Sequence, residues 1–409
     1  MSVQLRKKVA VLFGGRSVEH EISVITGLEI LEAIDQEKYE AIPVYIDQGG
    51  RWFCGEELSS RVFYRGLPAN LTRLQRVELP ALPGVGGLRV VNEKQDIRSR
   101  FLGARDAEII AVDVFFPAFH GRYGEDGPIQ GLFELADVVY TGCAVLSSAL
   151  AMDKYRCKLF LESHGVSVLP ACLASKSEAQ RDISALRERI LQNAGTSDFP
   201  LFIKPLHLGS SVGIGKADDG AQLDAALANV FRYDSHALIE PCIQDLLEIN
   251  VSVIEGLSEP DVSVVEVPVA SSQVLTFEDK YLRGSKSKKS GKASASRIDG
   301  MAGLSRVIDP EDLDIELKAE VRSLAKAAFI ALGCSGLVRF DFIYDTVSEQ
   351  LYFNELNPLP GSMAHYLWAK SKPKLLYPEI IARLVEGALI RKEQSAGLQT
   401  DIGFRAIFQ

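Results

Sequence analysis

Two apolar segments near the C-terminus most constrain how this chain can fold. Each has the pattern of a β-strand, and in each strand two polar residues stand two positions apart. The segments are GLVRFDFIYD and LYFNELN, and the intervening DTVSEQ is typical of a turn, which predicts a β-hairpin. Side chains alternate between the faces of a strand, so Arg339 and Asp341 share one face. Glu355 and Asn357 share one face of the partner strand by the same rule. The hairpin can therefore bring all four side chains to one point.

Three of these residues are predicted metal ligands. Asp341, Glu355 and Asn357 offer only oxygen atoms, a ligand set that suits Mg²⁺. Such sites usually share the ion with nucleotide phosphates. The alternative is a solvent-facing polar side of the hairpin, which is favoured for any one of these residues alone. Their combination with Arg339 and the rigid PLPG turn favours a magnesium site.

The N-terminal third of the chain predicts a different class of structure. VAVLF, AIPVYID and VDVFFPAF are predicted strands, and ISVITGLEILEAI has the apolar spacing of an amphipathic helix. This order predicts an α/β unit with a parallel sheet, whose strand ends form the ligand face. The later segments predict α+β units, one with a Gly/Ser loop between strands and one that contains the hairpin.

Shifts in composition and pattern divide the chain into three expected domains. The N-terminal α/β substrate domain is placed at 1–148, with a Gly- and Pro-rich insertion at about 48–108 that lacks clear periodicity. A central unit is placed at 149–256. The C-terminal unit is placed at 257–409 and includes a basic, Ser-rich loop at about 277–303.

Composition narrows the possible functions. The 409 residues carry a formal net charge of -9, which argues against a broad nucleic-acid surface. The six cysteines form no C-x-x-C pair, so neither a zinc ribbon nor a disulfide framework is expected, and scattered thiols fit a cytoplasmic protein. No run of about 18 or more apolar residues is present, so no membrane span is expected.

The segment IKPLHLGSSVGIGKA is a candidate phosphate-binding loop. It lacks the Walker A pattern, but Ser210, Ser211 and their flanking glycines offer successive backbone N–H groups and two hydroxyls. Lys204 on the preceding strand and Lys154 in MDK can supply positive charge. Most Gly/Ser loops merely turn the chain, so phosphate binding is favoured here only in combination with the predicted magnesium site.

Four further residues could contact ligands, each with a simpler alternative. Glu240 and Glu248 fall near the ends of successive strands and could bind ribose hydroxyls, or be surface acids. Glu19, at a strand-to-helix turn, could hold a substrate ammonium, or be an acid favoured by the helix dipole. His120 could be a catalytic base or a loop-anchoring histidine.

The motifs, taken together, resemble those of the D-alanine–D-alanine ligases of the ATP-grasp superfamily. They occur in the family's order: VLFGGRSVEHEIS, HGRYGEDGPIQG, SSALAMDK, IKPLHLGSSVG, RFDF and NELNPLPG. The resemblance runs from about Val9 to near Arg391. It implies a three-domain ATP-grasp architecture, in which ATP is held between the central and C-terminal domains, and a cytoplasmic homodimer that makes a peptidoglycan precursor.

The resemblance also implies a two-step reaction. ATP phosphorylates the carboxylate of one D-alanine, and the amine of a second D-alanine attacks the acyl phosphate and releases phosphate. Two Mg²⁺ ions, or Mn²⁺, are expected to assist. A D-alanine ligase with another acceptor, such as D-serine, and a nucleotide-binding regulatory protein with an inactive site are the alternatives.

The matching positions imply roles for individual residues. The first substrate is expected near Glu19, Ser210, Tyr281 and His120; the nucleotide near Lys154, Lys204, Ser211, Glu240 and Glu248; the metals at Asp341, Glu355 and Asn357; and the oxyanion at Arg339 and the backbone N–H of Gly361. Lys280 and Tyr281 favour dipeptide over ester formation, since ester-forming relatives tend to have His in place of that Tyr.

Two departures from the family pattern concern the end of the hairpin. Pro358 stands where many relatives have Thr or Ser, and it removes a backbone donor. Tyr366 stands where a Ser of some relatives helps orient the carboxylate of the second substrate. The acceptor site is therefore expected to differ here.

Overall fold

Three β-sheets organise the parts of the chain that the computed structural model describes, which are residues 5–91, 108–196, 198–269 and 306–399. The expected combination of α/β and α+β structure is confirmed. The loop predicted at 277–303, with Lys280 and Tyr281, lies outside the described residues.

The N-terminal sheet has seven strands in the order β6-β5-β4-β3-β2-β1-β7. They are β1 (Lys7–Gly14), β2 (Tyr39–Ile46), β3 (Trp52–Cys54), β4 (Gln75–Glu78), β5 (Gly87–Val90), β6 (Ile109–Ala111) and β7 (Val114–Pro117). Strand β1 is parallel to β2 and β7, as predicted, but β2 to β6 pair antiparallel. The prediction of a parallel sheet is thus correct for three strands only. The segment at 48–108, predicted as an insertion without periodicity, extends the sheet, because its strands are too short to show alternation.

The described residues of this region form the helices α1 (His20–Ala33), α2 (Arg61–Tyr64) and α3 (Pro128–Ala136). Helix α1 forms as predicted, but it is not amphipathic. Residues all round it are buried, including Val24, Thr26 and Ile30. The reason is that α1 packs against β1 on one side and against C-terminal elements on the other.

The central sheet has four antiparallel strands in the order β10-β9-β11-β8. They are β8 (Cys172–Ser175), β9 (Leu201–Pro205), β10 (Gly215–Ala217) and β11 (His236–Pro241). The helices in this part are α4 (Val145–Met152), α5 (Lys154–Glu162), α6 (Lys176–Arg181), α7 (Ile183–Asn193) and α8 (Gly220–Val230). The predicted Gly/Ser loop connects β9 to β10.

The C-terminal sheet has five antiparallel strands in the order β14-β13-β12-β15-β16. They are β12 (Leu246–Ile254), β13 (Asp261–Pro268), β14 (Arg306–Ile308), β15 (Leu337–Asp345) and β16 (Gln350–Asn357). The helices are α9 (Ile315–Ala331), α10 (His365–Trp368) and α11 (Tyr377–Ser395), and a 3-10 turn covers Gly361–Ala364.

Strand β12 lies in the C-terminal sheet, although the predicted boundary at 256 assigns it to the central unit. It pairs with β13 and β15, and Ile249, Val251 and Val253 enter the same core as Val338 and Phe340. The apolar alternation of β12 fits either sheet, so the local pattern could not identify its partners.

None of the helices in the described parts of the chain combines the length and apolar character that a membrane span requires.

Candidate active site

A cavity of about 510 Å³ lies between the central and C-terminal sheets. Strands β9 and β11 and the Gly/Ser loop form one wall, and β12, β15 and β16 form the other. Seven of the predicted site residues line it: Lys154, Lys204, Ser211, Glu240, Glu248, Asp341 and Glu355. The two sheets thus bring together residues that are separated by up to half of the chain.

The hairpin of β15 and β16 forms as predicted and presents its polar residues in register. Asp341 lies opposite Glu355, and Arg339 lies opposite Asn357. Arg339 donates from Nε and Nη2 to the two carboxylate oxygens of Asp341, both at 2.6 Å. Asn357 Nδ2 donates to Asp341 Oδ2 at 3.1 Å. The guanidinium is therefore held in one orientation by a bidentate pair.

Two cavity lysines bind carboxylates of opposite walls. Lys154 Nζ lies 3.2 Å from Glu355 Oε2 and donates to the carbonyl of Leu208 at 2.8 Å. Lys204 Nζ lies 2.7 Å from Glu240 Oε2 and donates to Asn354 Oδ1 at 2.8 Å. Positive charge is thus fixed on both walls.

The sequence prediction missed Lys158, whose ammonium contacts Glu240 Oε1 in the protein interior. Lys158 follows Lys154 by four residues, so both lie on one face of α5, and this spacing is the signal that could have identified it. Burial by itself raises the pKa of Glu240, but the adjacent Lys158 and Lys204 bring that pKa below its ordinary value.

The predicted substrate residue Glu19 lies outside this cavity, buried at the start of α1. The hydroxyl of Ser210 donates to Glu19 Oε1, so the Gly/Ser loop reaches the start of α1. Gly121 passes so close that a Cβ there would stand 2.7 Å from Glu19 Oε2, and its φ of +76° also favours glycine. Glu19, Ser210, His120 and Glu125 are called the Glu19 corner below.

His120 lies in this corner as a neutral group. Its Nε2 is 2.9 Å from Thr26 Oγ1, which also accepts from the backbone N–H of Ser362 at 3.5 Å. Burial lowers the pKa of His120 to about 4, a backbone bond to Leu359 opposes the shift, and the charge of Arg339 adds to it. His120 therefore connects the corner to the turn after β16 without adding charge.

Glu125 is a second residue that the sequence prediction missed. Its carboxylate accepts from the backbone N–H groups of Gly121 and Leu359, the latter at 3.2 Å. Burial raises the pKa of Glu125, and the nearby Glu19 raises it further. Glu125 lies within the motif HGRYGEDGPIQG, but the local pattern of that motif gives no sign of the contact with Leu359.

Tyr366 and Gly361 lie at the end of the PLPG turn. Gly361 begins the 3-10 turn, and Tyr366 is buried, with its hydroxyl donating to Glu266 Oε1 at 3.2 Å. Arg306 lies over the Tyr366 ring at 4.0 Å and binds Glu266 Oε2 at 2.8 Å. Tyr366 is thus fixed from two sides.

The predicted metal ligands combine two carboxylates and an amide. Within the described ranges, no group of three or more His, Cys, Asp or Glu side chains is arranged to hold a metal ion. The third predicted ligand, Asn357, belongs to none of these four residue types, and its side-chain amide lies beside Asp341. Two carboxylates and an amide oxygen are ligands that Mg²⁺ accepts.

Models of one protein family match most of the chain. The model described as "D-ala D-ala ligase N-terminus" matches residues 8–143, and that described as "D-ala D-ala ligase C-terminus" matches residues 160–386.

Curated proteins and solved structures give the same result. The chain is 39% identical to a D-alanine–D-alanine ligase of Streptomyces avermitilis, with 96% of each protein covered. It is similar in structure to the VanG D-Ala:D-Ser ligase from Enterococcus faecalis, with a TM-score of 0.73, 29% identity, and coverage of 94% of this chain and 100% of that one. For the D-alanine-D-alanine ligase from Coxiella burnetii the TM-score is 0.72, with 25% identity and 95% of each chain covered.

Proposed function

The chain belongs to the D-alanine–D-alanine ligase family, and from this premise we propose that it joins two D-alanine molecules at the expense of ATP. The products are D-alanyl-D-alanine, ADP and phosphate, and the dipeptide serves peptidoglycan precursor synthesis. The observation that carries the proposal is the cavity between two sheets, lined by paired lysines and carboxylates and joined to Glu19 through Ser210.

The first step forms an acyl phosphate. A carboxylate oxygen of the first D-alanine attacks the γ-phosphorus of ATP, an O–P bond forms, and the bond to the ADP oxygen breaks. Both reactants are anionic, so positive charge must offset their repulsion. Lys154 and Lys204, each of which contacts both walls of the cavity, are proposed to provide it. Ser211, Glu240 and Glu248 are proposed to complete the nucleotide site.

The second step forms the peptide bond. The amine of the second D-alanine attacks the acyl carbon, a C–N bond forms, the C–O bond breaks, and phosphate leaves as the amine loses a proton. Negative charge develops on the carbonyl oxygen, and donors fixed in advance stabilise it best. Arg339, held by Asp341, and the backbone N–H of Gly361 are proposed as those donors.

The substrates are proposed to bind around the Glu19 corner. Glu19 would hold the ammonium of the first D-alanine, with Ser210 and His120 near it. Lys280 and Tyr281 are proposed to favour an amine acceptor, from the sequence resemblance alone. The buried Tyr366 is proposed to shape the site for the second substrate.

The residues present fit the predicted divalent metal site. Asp341, Glu355 and Asn357 would hold two Mg²⁺ ions, or Mn²⁺, since Asp341 and Glu355 face each other across the hairpin and Asn357 adjoins Asp341. When bound, these ions would neutralise phosphate charge.

Three further expectations remain part of this proposal. They are the division into domains at 1–148, 149–256 and 257–409, a homodimeric assembly, and a cytoplasmic location. Membership of the family supports the use of small-molecule substrates, but it does not by itself establish these three expectations.

A coupled assay tests the proposed function. Purified protein with ATP, Mg²⁺ and D-alanine should release phosphate, and mass spectrometry should find D-alanyl-D-alanine. When D-alanine, D-serine and D-lactate are supplied in one mixture at equal concentrations, the main product identifies the preferred acceptor. A D-alanyl-D-serine product would favour an activity like that of the VanG D-Ala:D-Ser ligase. A product that is mainly the D-lactate ester would contradict the Tyr281 prediction, and no product at all would reject ligation.

A further inference from the structure

Helix α5 carries a buried lysine that the mechanism above does not use. The side chain of Lys158 is 2% exposed and contacts Glu240 Oε1. The other oxygen of Glu240 lies 2.7 Å from the ammonium of Lys204. Among the described residues that line the nucleotide cavity, Lys204 and Glu240 are present and Lys158 is not. One buried carboxylate therefore joins a cavity lysine to a lysine behind the wall.

The net charge of Lys158, Glu240 and Lys204, called the triad here, decides whether this wall of the cavity is positive or neutral. Lys204 and Glu240 alone form a neutral pair, whereas Lys158 gives the triad a net charge of about +1 while its ammonium is protonated. ATP and ADP bring several negative charges to the same cavity. In a poorly solvated wall such a charge acts over several ångströms.

The geometry adds a positional effect. Because Lys158 engages Oε1 of Glu240, only Oε2 remains for Lys204. Lys204 then also donates to Asn354 Oδ1 at 2.8 Å, on the strand that carries Glu355. Without Lys158, both oxygens of Glu240 could turn to Lys204 and draw its ammonium away from the C-terminal sheet.

We propose that Lys158 is a positioning residue for the nucleotide phosphates, which keeps the wall beneath Lys204 positive and leaves Lys204 extended toward β16. The proposal rests on the proposed function, because it takes the cavity as the ATP site. Lys158 itself need not touch the nucleotide.

Three variants separate charge from packing. K158M and K158Q remove the charge and leave Lys204 and Glu240 as a neutral pair, and K158R keeps the charge. K326M is the matched control, since Lys326 forms an ion pair with Glu259 at 2.6 Å and is not among the described cavity residues. Each full-length variant is titrated with ADP and Mg²⁺, and separately with adenosine, by calorimetry, and the KM values for ATP and D-alanine are measured.

We expect K158M to weaken ADP binding and raise the KM for ATP by about tenfold or more, with the KM for D-alanine within about twofold of wild type. K158Q should match K158M, K158R should bind ADP within about threefold of wild type, and K326M should match wild type. Rescue by K158R, together with unchanged binding of adenosine, which carries no phosphate, is the result that a merely structural role would not give.

Other outcomes overturn the inference. Wild-type ADP affinity in K158M, K158R as weak as K158M, or an equal loss of affinity for ADP and for adenosine would show that the charge of Lys158 does not act on the nucleotide phosphates. If K158M proves too unstable to purify, K158Q and K158R decide, because ADP affinities within about threefold of each other contradict the charge effect. A wild-type protein that binds no ADP would instead reject the proposed nucleotide site itself.

Discussion

The nucleotide cavity and the Glu19 corner lie on either side of the Gly/Ser loop, but they accommodate buried charge in different ways. In the cavity each named cation has an acid nearby: Lys154 at 3.2 Å from Glu355, and Lys204 at 2.7 Å from Glu240. In the corner two carboxylates, Glu19 and Glu125, are buried near each other, and His120 is neutral.

Because of this difference, the two regions should respond differently to charge-removing substitutions and to pH. Opposite charges stabilise each other's ionised forms, and in the cavity Lys158 and Lys204 hold the pKa of Glu240 below its ordinary value. Burial and like charge favour neutral forms, so titration should be concentrated in the corner. We therefore expect charge-removing substitutions to act most strongly in the cavity, and pH to act most strongly through the corner.

The largest effect is expected at the cavity. Glu355→Gln should lower kcat by about 100-fold or more, because it removes a predicted metal ligand and the partner of Lys154. Steady-state kinetics at saturating Mg²⁺ measure this, with Glu320→Gln on the exposed face of α9 as the control. Turnover like that of the wild type would remove Glu355 from the site.

A smaller and more selective effect is expected at the corner. Glu19→Gln should raise the KM for D-alanine by about 10- to 100-fold, since a buried carboxylate paired with an ammonium contributes a few kcal/mol. The KM for ATP should change by less than about threefold, because Glu19 is not among the described cavity residues. Equal changes in both constants would contradict the separation of the two regions.

His120 should make the stability of the folded protein depend on pH between about pH 6.5 and pH 4. Its pKa falls to about 4 in the folded protein, so the unfolded chain binds the extra proton first as pH falls. The neutral His120 thus contributes stability that is complete above about pH 6.5 and is lost toward pH 4, by roughly 1–2 kcal/mol at about pH 5. Urea unfolding of the wild type and of His120→Gln at several pH values measures this contribution. If the free energy of unfolding changed with pH in the same way in both proteins, the prediction would be disproved.

The smallest effect is expected at Glu125. Its pKa is raised in the folded state, so the folded protein binds the extra proton and loses stability as pH rises above the unfolded pKa. Glu125→Gln cannot ionise, so the Tm of this variant should gain on that of the wild type as the pH rises above the ordinary carboxyl range. The exposed Glu188→Gln should show no such trend, and a Tm difference that falls with pH would reverse the assignment.

The sequence predicted the site best where the structure is local. The arrangement of Arg339, Asp341, Glu355 and Asn357 follows from strand alternation and a short turn, and the hairpin is confirmed. The Gly/Ser loop was identified from its residue types, since glycine N–H groups and serine hydroxyls suit a phosphate ligand. Both features can be derived from about 20 neighbouring residues.

Long-range packing could not be predicted in the same way. Lys158 and Glu240 are separated by 82 positions, and no periodicity links them. The contact of Glu125 with Leu359 and the pairing of β12 with β15 depend on how separate units pack. The burial of α1 on several sides has the same cause, since its second neighbour comes from the C-terminal part.

The central claim is that the cavity and the corner cooperate to activate a D-alanine carboxylate as an acyl phosphate. D-alanine with ¹⁸O in its carboxylate tests it most directly, with ATP, Mg²⁺ and mass spectrometry of the released phosphate. The carboxylate oxygen that attacks ATP stays on phosphorus when the C–O bond breaks, so each phosphate formed with a dipeptide should carry one ¹⁸O. Dipeptide accompanied by unlabelled phosphate would contradict the account.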